Sequence, residues 1–236
     1  ASLLGEGAGR GKDMLAARAF KEALDEIGAR FGAGGDKLDM SVHLTTLAEH
    51  APEAARLAAL AIQYPRFDGE AVERIKAATI AGIRQSEESP GAVAGRAFMK
   101  AVFQDHPYGR QAVGTEATVA KLTVKDVQGW YEAQFNQANM VVGVVGAISP
   151  DAAAAMVDTM VAGLPKGTVR NSVKTAPAAT PVAMVRVEKD VPQSSVMLGH
   201  LGMSRDNPDY FPMLVMNELL GGGVLSSRLY NSVRKK

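Results

Sequence analysis

Leu38-Asp39-Met40-Ser41-Val42-His43-Leu44 alternates apolar and polar side chains without a break. A period of two sets Leu38, Met40, Val42 and Leu44 on one face, the pattern of a half-buried strand. The period then changes. Pro52 suits the first turn of a helix, where its missing N–H has no partner to lose, and the helical pattern runs over residues 54–62. Helical spacing recurs on both sides of this stretch. Upstream, Phe20, Leu24 and Ile27 predict a helix over 13–31, closed by Gly28 or Gly32. Downstream, Asp68 is placed to cap a helix reaching about residue 87, and Pro90 opens another to about residue 103. His106-Pro107-Tyr108-Gly109-Arg110 reads as a loop by its Pro and Gly. Thr123-Val124-Lys125-Asp126 has the form of a capping box, with Asp where Glu is commoner, and predicts a helix ending near residue 135. The continuous apolar run over 140–145 predicts a central strand. Ser149-Pro150 supplies a cap and a first-turn proline for a helix over 151–161.

Residues 163–181 change character, with Pro165, Gly167, Pro177 and Pro181 set among Thr, Ala and Ser. This is a linker composition. Beyond it the pattern predicts strands over 182–188 and 195–200, a helix over 208–220, then Gly221-Gly222-Gly223 and a new helix from Ser226. The order of elements indicates α+β, with mixed sheets flanked by helices. The expected division is a first domain over 1–164, a linker over 165–181 and a second domain opening at 182–236. Ala1-Ser2-Leu3-Leu4 begins inside an apolar pattern and Val233-Arg234-Lys235-Lys236 stops inside a helical one. Both domains are therefore expected to be truncated, in a fragment of a longer protein.

The 236 residues are 47% hydrophobic and 22% charged, enough for a sizeable core, and the formal net charge is +1. So even a balance gives no strong field toward nucleic acid or anionic lipid. No apolar run is long enough for a membrane span. Absence of cysteine excludes disulfides, thiolate metal sites and a cysteine nucleophile. Among the four histidines, His43 falls on the polar face of its strand, while His106 and His200 read as structural. Glu49-His50 invites a zinc reading, but a helical pair needs its second His one turn on, and position 54 is Ala with Pro52 between. The carboxylates Glu22, Asp25 and Glu26 lie on a solvated helix face. Gly221-Gly222-Gly223 lacks the Lys and Ser/Thr of a phosphate loop. Residue chemistry alone shows no active site.

Several segments, taken in order, carry a resemblance. They are Pro65-Arg66-Phe67-Asp68 with Val72-Glu73-Arg74, Asp105-His106-Pro107-Tyr108-Gly109 with Gly114-Thr115-Glu116, and the strand from Asn139 to Gly146 with Ala147 where an acidic residue is usual. Leu219-Leu220-Gly221-Gly222-Gly223 with Ser227-Arg228-Leu229-Tyr230 and Arg234 closes the set. Each is weak alone. Together they resemble the pitrilysin/insulinase-type metallopeptidases over nearly the whole chain. Within that family the chain looks like the zinc-free subunit of a bacterial two-chain peptidase, related to the alpha subunit of the mitochondrial processing peptidase.

The resemblance implies where a metal site would fall. Matching Glu6-Gly7-Ala8 to the Gly-Thr turn after the family's inverted zinc motif puts Ala1 at the general-base Glu and Ser2 at the second His. On the later helix Ile75 and Gly82 occupy the two Glu positions. No zinc is therefore expected in this chain, and no peptidase activity from it alone; zinc belongs to a homologous partner subunit. Arg234 matches a family Arg that holds substrate near the partner's zinc, and the Tyr seven residues later would fall past Lys236. Alternatively, Arg234 is one member of a solvated basic run, Arg234-Lys235-Lys236. The implied function is a substrate-binding subunit of a heterodimeric metallopeptidase acting on peptides. A structural, core-type subunit without proteolytic role is the alternative, and an enzyme whose metal site lies wholly upstream is a third. Periplasmic location follows only by analogy with exported two-chain members.

Overall fold

The computed structural model describes residues 2–169, 173, 176, 184–199, 202–222 and 225–235. Two compact units, Ala1–Val196 and Met197–Lys236, are described separately.

The first unit opens with a 3-10 turn, Ser2–Gly5, and a short hairpin. Strand β1 (Gly7–Ala8) pairs antiparallel with β2 (Leu15–Ala16), Gly7 opposite Ala16 and Ala8 opposite Leu15. The loop between them needs Gly9: its φ is +94°, and a Cβ there would lie 1.9 Å from the Asp13 carbonyl oxygen. Helix α1 (Ala17–Glu26) buries Phe20 and Leu24. It stops earlier than helical spacing predicts. Gly28 takes φ +61°, its N–H donates to Asp25 O, and the Ala29 N–H donates to Leu24 O. That double closure is a Schellman ending. Arg30 and Phe31 are released from the expected helix into a strand.

That strand is β3 (Arg30–Gly35), paired antiparallel with β4 (Met40–Thr45) from Arg30 opposite Thr45 to Gly35 opposite Met40. The turn is organised by Asp36, whose carboxylate accepts the N–H groups of Leu38 and Asp39 at 2.7 and 3.1 Å. Met40, Val42 and Leu44 pack toward the core, and His43 is exposed, as alternation requires.

Helix α2 (Ala51–Gln63) is the axis of the unit, with Pro52 in its first turn. Ala54, Ala58 and Ala61 are fully buried on it. On one side it meets Phe20, Leu24 and Ala29; on the other Leu4, Phe67, Val72 and Phe135. Small side chains let α7 (Pro150–Val161) pack close against α2. Gln63 Nε2 seals the contact by donating to the carbonyls of Thr159 and Met160 at 2.8 and 3.0 Å.

Helices α3 (Gly69–Glu88), α4 (Pro90–Phe103), α5 (Glu116–Ala120) and α6 (Val124–Gln134) follow. Thr123 and Asp126 form the expected capping box, and Thr115 with Thr118 forms a second one. Ser89 and Ser149 cap α4 and α7. Asp68 precedes α3 but caps nothing with its side chain; its carboxylate is held by Arg66 at 2.9 Å.

Three strand expectations need correction. Residues 140–145 form no strand, and Val141 and Val145 are fully exposed. The described residues of 182–188 and 195–200, namely 184–188 and 195–199, are likewise unpaired. Apolar runs of this kind become strands only when another backbone satisfies their N–H and C=O groups, and no described residue does so here. Most of the expected linker lies outside the described residues. The α+β class holds, built from helices and two small antiparallel sheets.

In the second unit α8 (Tyr210–Asn217) runs on into a π turn, Glu218–Gly222, and a second π turn spans Tyr230–Arg234. Ser227, before the latter, is buried.

Candidate functional site

The two segments that the resemblance assigns to metal binding are neighbours, since the Ser2–Gly5 turn packs against α3. Their residues do not fit zinc. Ser2 offers only a hydroxyl, and Ala1 lies outside the described residues. Ile75 is half-buried, and Gly82 is exposed in mid-helix with open space around an ideal Cβ. Position 82 thus lacks an oxygen ligand without lacking room for one. Zinc hydrolysis needs three protein ligands and a water. Among the described residues no three His, Cys, Asp or Glu side chains are grouped to hold a metal. Along α3, Val72 is buried and Ile75 half-buried, whereas Ala78 and Gly82 are exposed.

One carboxylate does lie beside this turn. Glu6 is only 9% exposed; Arg74 of α3 donates to it, and Lys21 approaches to 3.9 Å. A buried carboxylate held by two cations is a structural clasp between the N-terminal turn, α1 and α3. Glu6 was legible only as part of a turn, because nothing in the local pattern distinguishes a buried Glu from a solvated one.

The Pro65–Asp68 segment is positioned by β1. The Gly9 N–H donates to Tyr64 O at 3.0 Å, and Ala8 bridges to Pro65. This bend forces Phe67 to φ +48°, a costly conformation for a bulky residue, sustained by burial of its ring. Phe67 meets Tyr131 edge-on at 5.5 Å, and Tyr131 stacks on Phe135 at 4.6 Å. The Tyr131 hydroxyl donates to Ile62 O. Burial, with a smaller contribution from Tyr64, pushes its pKa up to about 12.

The His106–Gly109 segment is a 3-10 turn capped by its own histidine, whose Nδ1 accepts the Tyr108 N–H at 3.2 Å. Phe103, His106 and Tyr108 form an aromatic cluster. The loop is tied to the β3–β4 turn by Lys37, which donates to Tyr108 O. Glu116, at the start of α5, pairs with Arg84 of α3. Among the described residues these motif side chains brace one another and form no catalytic set. His50 has Glu49 at 4.0 Å; His200 lies outside the described residues.

Arg234 ends the second unit's last π turn, exposed, with its guanidinium carbon 5.9 Å from the centre of the Tyr230 ring. Among the described residues it has no carboxylate partner. A guanidinium over an aromatic face keeps its planar donors free at the rim.

An α+β architecture with no metal-binding set among the described residues is the class that fold and site define. Residues 121–236 match the family described as the peptidase M16 inactive domain. A solved structure of the peptidase M16 inactive domain from Pseudomonas fluorescens superposes with a TM-score of 0.82 at 26% identity, over 99% of this chain and 56% of that one. An uncharacterized zinc protease of Rickettsia felis is 24% identical over 96% of this chain and 54% of its own length. A probable mitochondrial-processing peptidase subunit beta of Arabidopsis thaliana is 22% identical over 90% of this chain and 40% of its own. These matches support a place in the M16, pitrilysin/insulinase-type, peptidase family, and the likeness of residues 121–236 to the inactive domain supports a non-catalytic role within it. It spans about half the length of the curated relatives it matches.

Proposed function

We propose that this chain is part of the substrate-binding subunit of a heterodimeric metallopeptidase whose zinc is carried by a homologous partner. One observation carries the reading: the turn and helix that would meet at a metal present Ser2, Ile75 and Gly82 there, none of them a zinc ligand of the family's type. Arg234, exposed and without an acidic partner among the described residues, supports the positive half of the proposal. It can donate to a peptide carbonyl or to charge developing on it. In this reading residues 165–181 join two homologous domains, and the assembly works in the periplasm, which cell fractionation checks. The decisive experiment is co-purification of the complete protein with its zinc-bearing homologue, followed by peptidase assays on each chain alone and together. Activity that appears only with both chains is expected. Full activity of the homologue alone would leave this chain a structural subunit.

A further inference from the structure

The loop that carries Tyr108 also forms one wall of an open groove of about 870 Å³ in the first unit. Lys37 reaches it from the β3–β4 turn, Arg96 and Lys100 from one face of α4, and Arg110 from the end of the His106–Gly109 turn. Residues 96 and 100 are one helical turn apart and so project together. Among the described residues no Asp, Glu or aromatic side chain lines the groove.

The cations differ in how far they are already engaged. Arg96 donates to the Ser86 hydroxyl at 3.1 Å, and Lys37 to Tyr108 O. Lys100 is shared between Gln104 O at 2.9 Å and Asp105, fully exposed at the rim, at 3.0 Å. The Arg110 side chain is exposed and makes no hydrogen bond or contact ion pair among the described residues, although Asp105 lies close enough to feel its charge. Four cations therefore face a groove with one carboxylate beside it. The chain as a whole is nearly neutral, so this is a local concentration of charge. Ala92, Ala97 and Met99 give the groove an apolar stretch along α4, and Gln111, Thr115 and Thr118 add neutral polar groups to its lining.

We propose that this groove binds an acidic polypeptide segment in extended form, its carboxylates meeting Arg110, Lys37 and Lys100 and its intervening apolar side chains resting on α4. An extended strand turns alternate side chains to opposite sides, which suits a channel with a cationic rim and an apolar floor. Arg and Lys recognise carboxylates through charge-assisted hydrogen bonds. Single-stranded nucleic acid binds mainly by stacking on aromatic platforms, and this groove offers none. The site lies wholly in the first unit and does not depend on the role of Arg234.

Fluorescence anisotropy tests this with a labelled peptide alternating Glu and Val, a Lys–Val counterpart and a labelled single-stranded oligonucleotide. The Glu–Val peptide is expected to bind, weakening as salt rises, and the Lys–Val peptide is not. Arg110→Glu should weaken Glu–Val binding roughly tenfold, while Lys12→Glu on the β1–β2 loop should leave it within about twofold. Arg110 supports no fold contact, so an unchanged thermal melt accompanies the variant. Arg110→Ala, a milder change, should fall between the two. Equal affinity of wild type and Arg110→Glu overturns the proposal, as does tighter binding of the oligonucleotide than of the Glu–Val peptide.

Discussion

Arg234 and Tyr131 show how differently two residues can use one aromatic contact. Arg234 lies over Tyr230 at a surface, its donors unspent. In the complete subunit, assembled with its partner, Arg234→Ala should lower peptide turnover about a hundredfold, roughly 3 kcal/mol, if it donates to charge developing on the scissile carbonyl. A raised KM with unchanged kcat would instead mean that it grips the substrate backbone. Lys at this position should rescue poorly, since a point charge lacks the planar fork, and Lys235→Ala serves as a charge control. Turnover equal to wild type, with assembly verified, removes Arg234 from the site. Tyr131 is spent on the fold, between Phe67 and Phe135 with its hydroxyl on Ile62 O. Tyr131→Phe should cost about 1 kcal/mol at neutral pH, the worth of one such hydrogen bond. Its pKa of about 12 in the fold exceeds the ordinary tyrosine value of 10.0, so the unfolded chain loses this proton first. The associated stability is intact below pH 10 and is lost as pH rises toward 12. Tyr131→Phe should therefore flatten the alkaline fall in urea midpoint; an unchanged slope means that Tyr131 does not drive it.

Glycine has opposite meanings in α3 and in the first hairpin. Gly82 is in the middle of a twenty-residue helix with nothing within 4 Å of an added Cβ. Gly82→Ala should raise stability by about 0.5–1 kcal/mol, because alanine loses less backbone entropy and favours the helix. Gly9 has φ +94° and would drive a Cβ to 1.9 Å from Asp13 O. Gly9→Ala should cost more than about 2 kcal/mol through steric overlap and backbone strain together. Chemical denaturation at constant m-value checks both. A destabilised Gly82→Ala would mean that α3 bends or is covered at that position in the assembled protein.

At the scale of the whole molecule, the metal-free reading and the domain boundary can each be tested. The complete protein, dialysed and analysed for metal, should retain well under one zinc per chain; a tightly held stoichiometric zinc contradicts the assignment at Ser2 and Gly82. The proposed division over 165–181 and the compact units that meet at Val196 and Met197 place the boundary differently. Limited trypsinolysis separates them. First cuts at Lys166, Arg170 or Lys174 support the composition-based linker, whereas first cuts at Arg186 or Lys189 move the boundary later.

Local chemistry was legible in the sequence wherever one or two residues settle the backbone. Pro52 favours a helix start through its fixed φ, and Ser149 and the Thr123–Asp126 box fix theirs through bonds made within four residues. The alternation over 38–44 gave the strand and its exposed His43 for the same reason. The ligand-poor positions were legible too, because a metal site needs particular atoms and Ile75 and Gly82 do not carry them. Other features depended on distant partners. Gly28 could be named as a helix end, but only its closure onto Leu24 and Asp25 freed Arg30 and Phe31 to pair with β4. The apolar run over 140–145 looks like a strand in one dimension and finds no partner strand among the described residues in three. Burial of Glu6 between Arg74 and Lys21, and convergence of Lys37, Arg96, Lys100 and Arg110 on one groove, join residues scattered along the chain. Sequence determined the turns, caps and missing ligands because these are short-range. Tertiary structure decided the clasp, the groove and the strand pairing because charge and hydrogen-bond satisfaction depend on which segments meet.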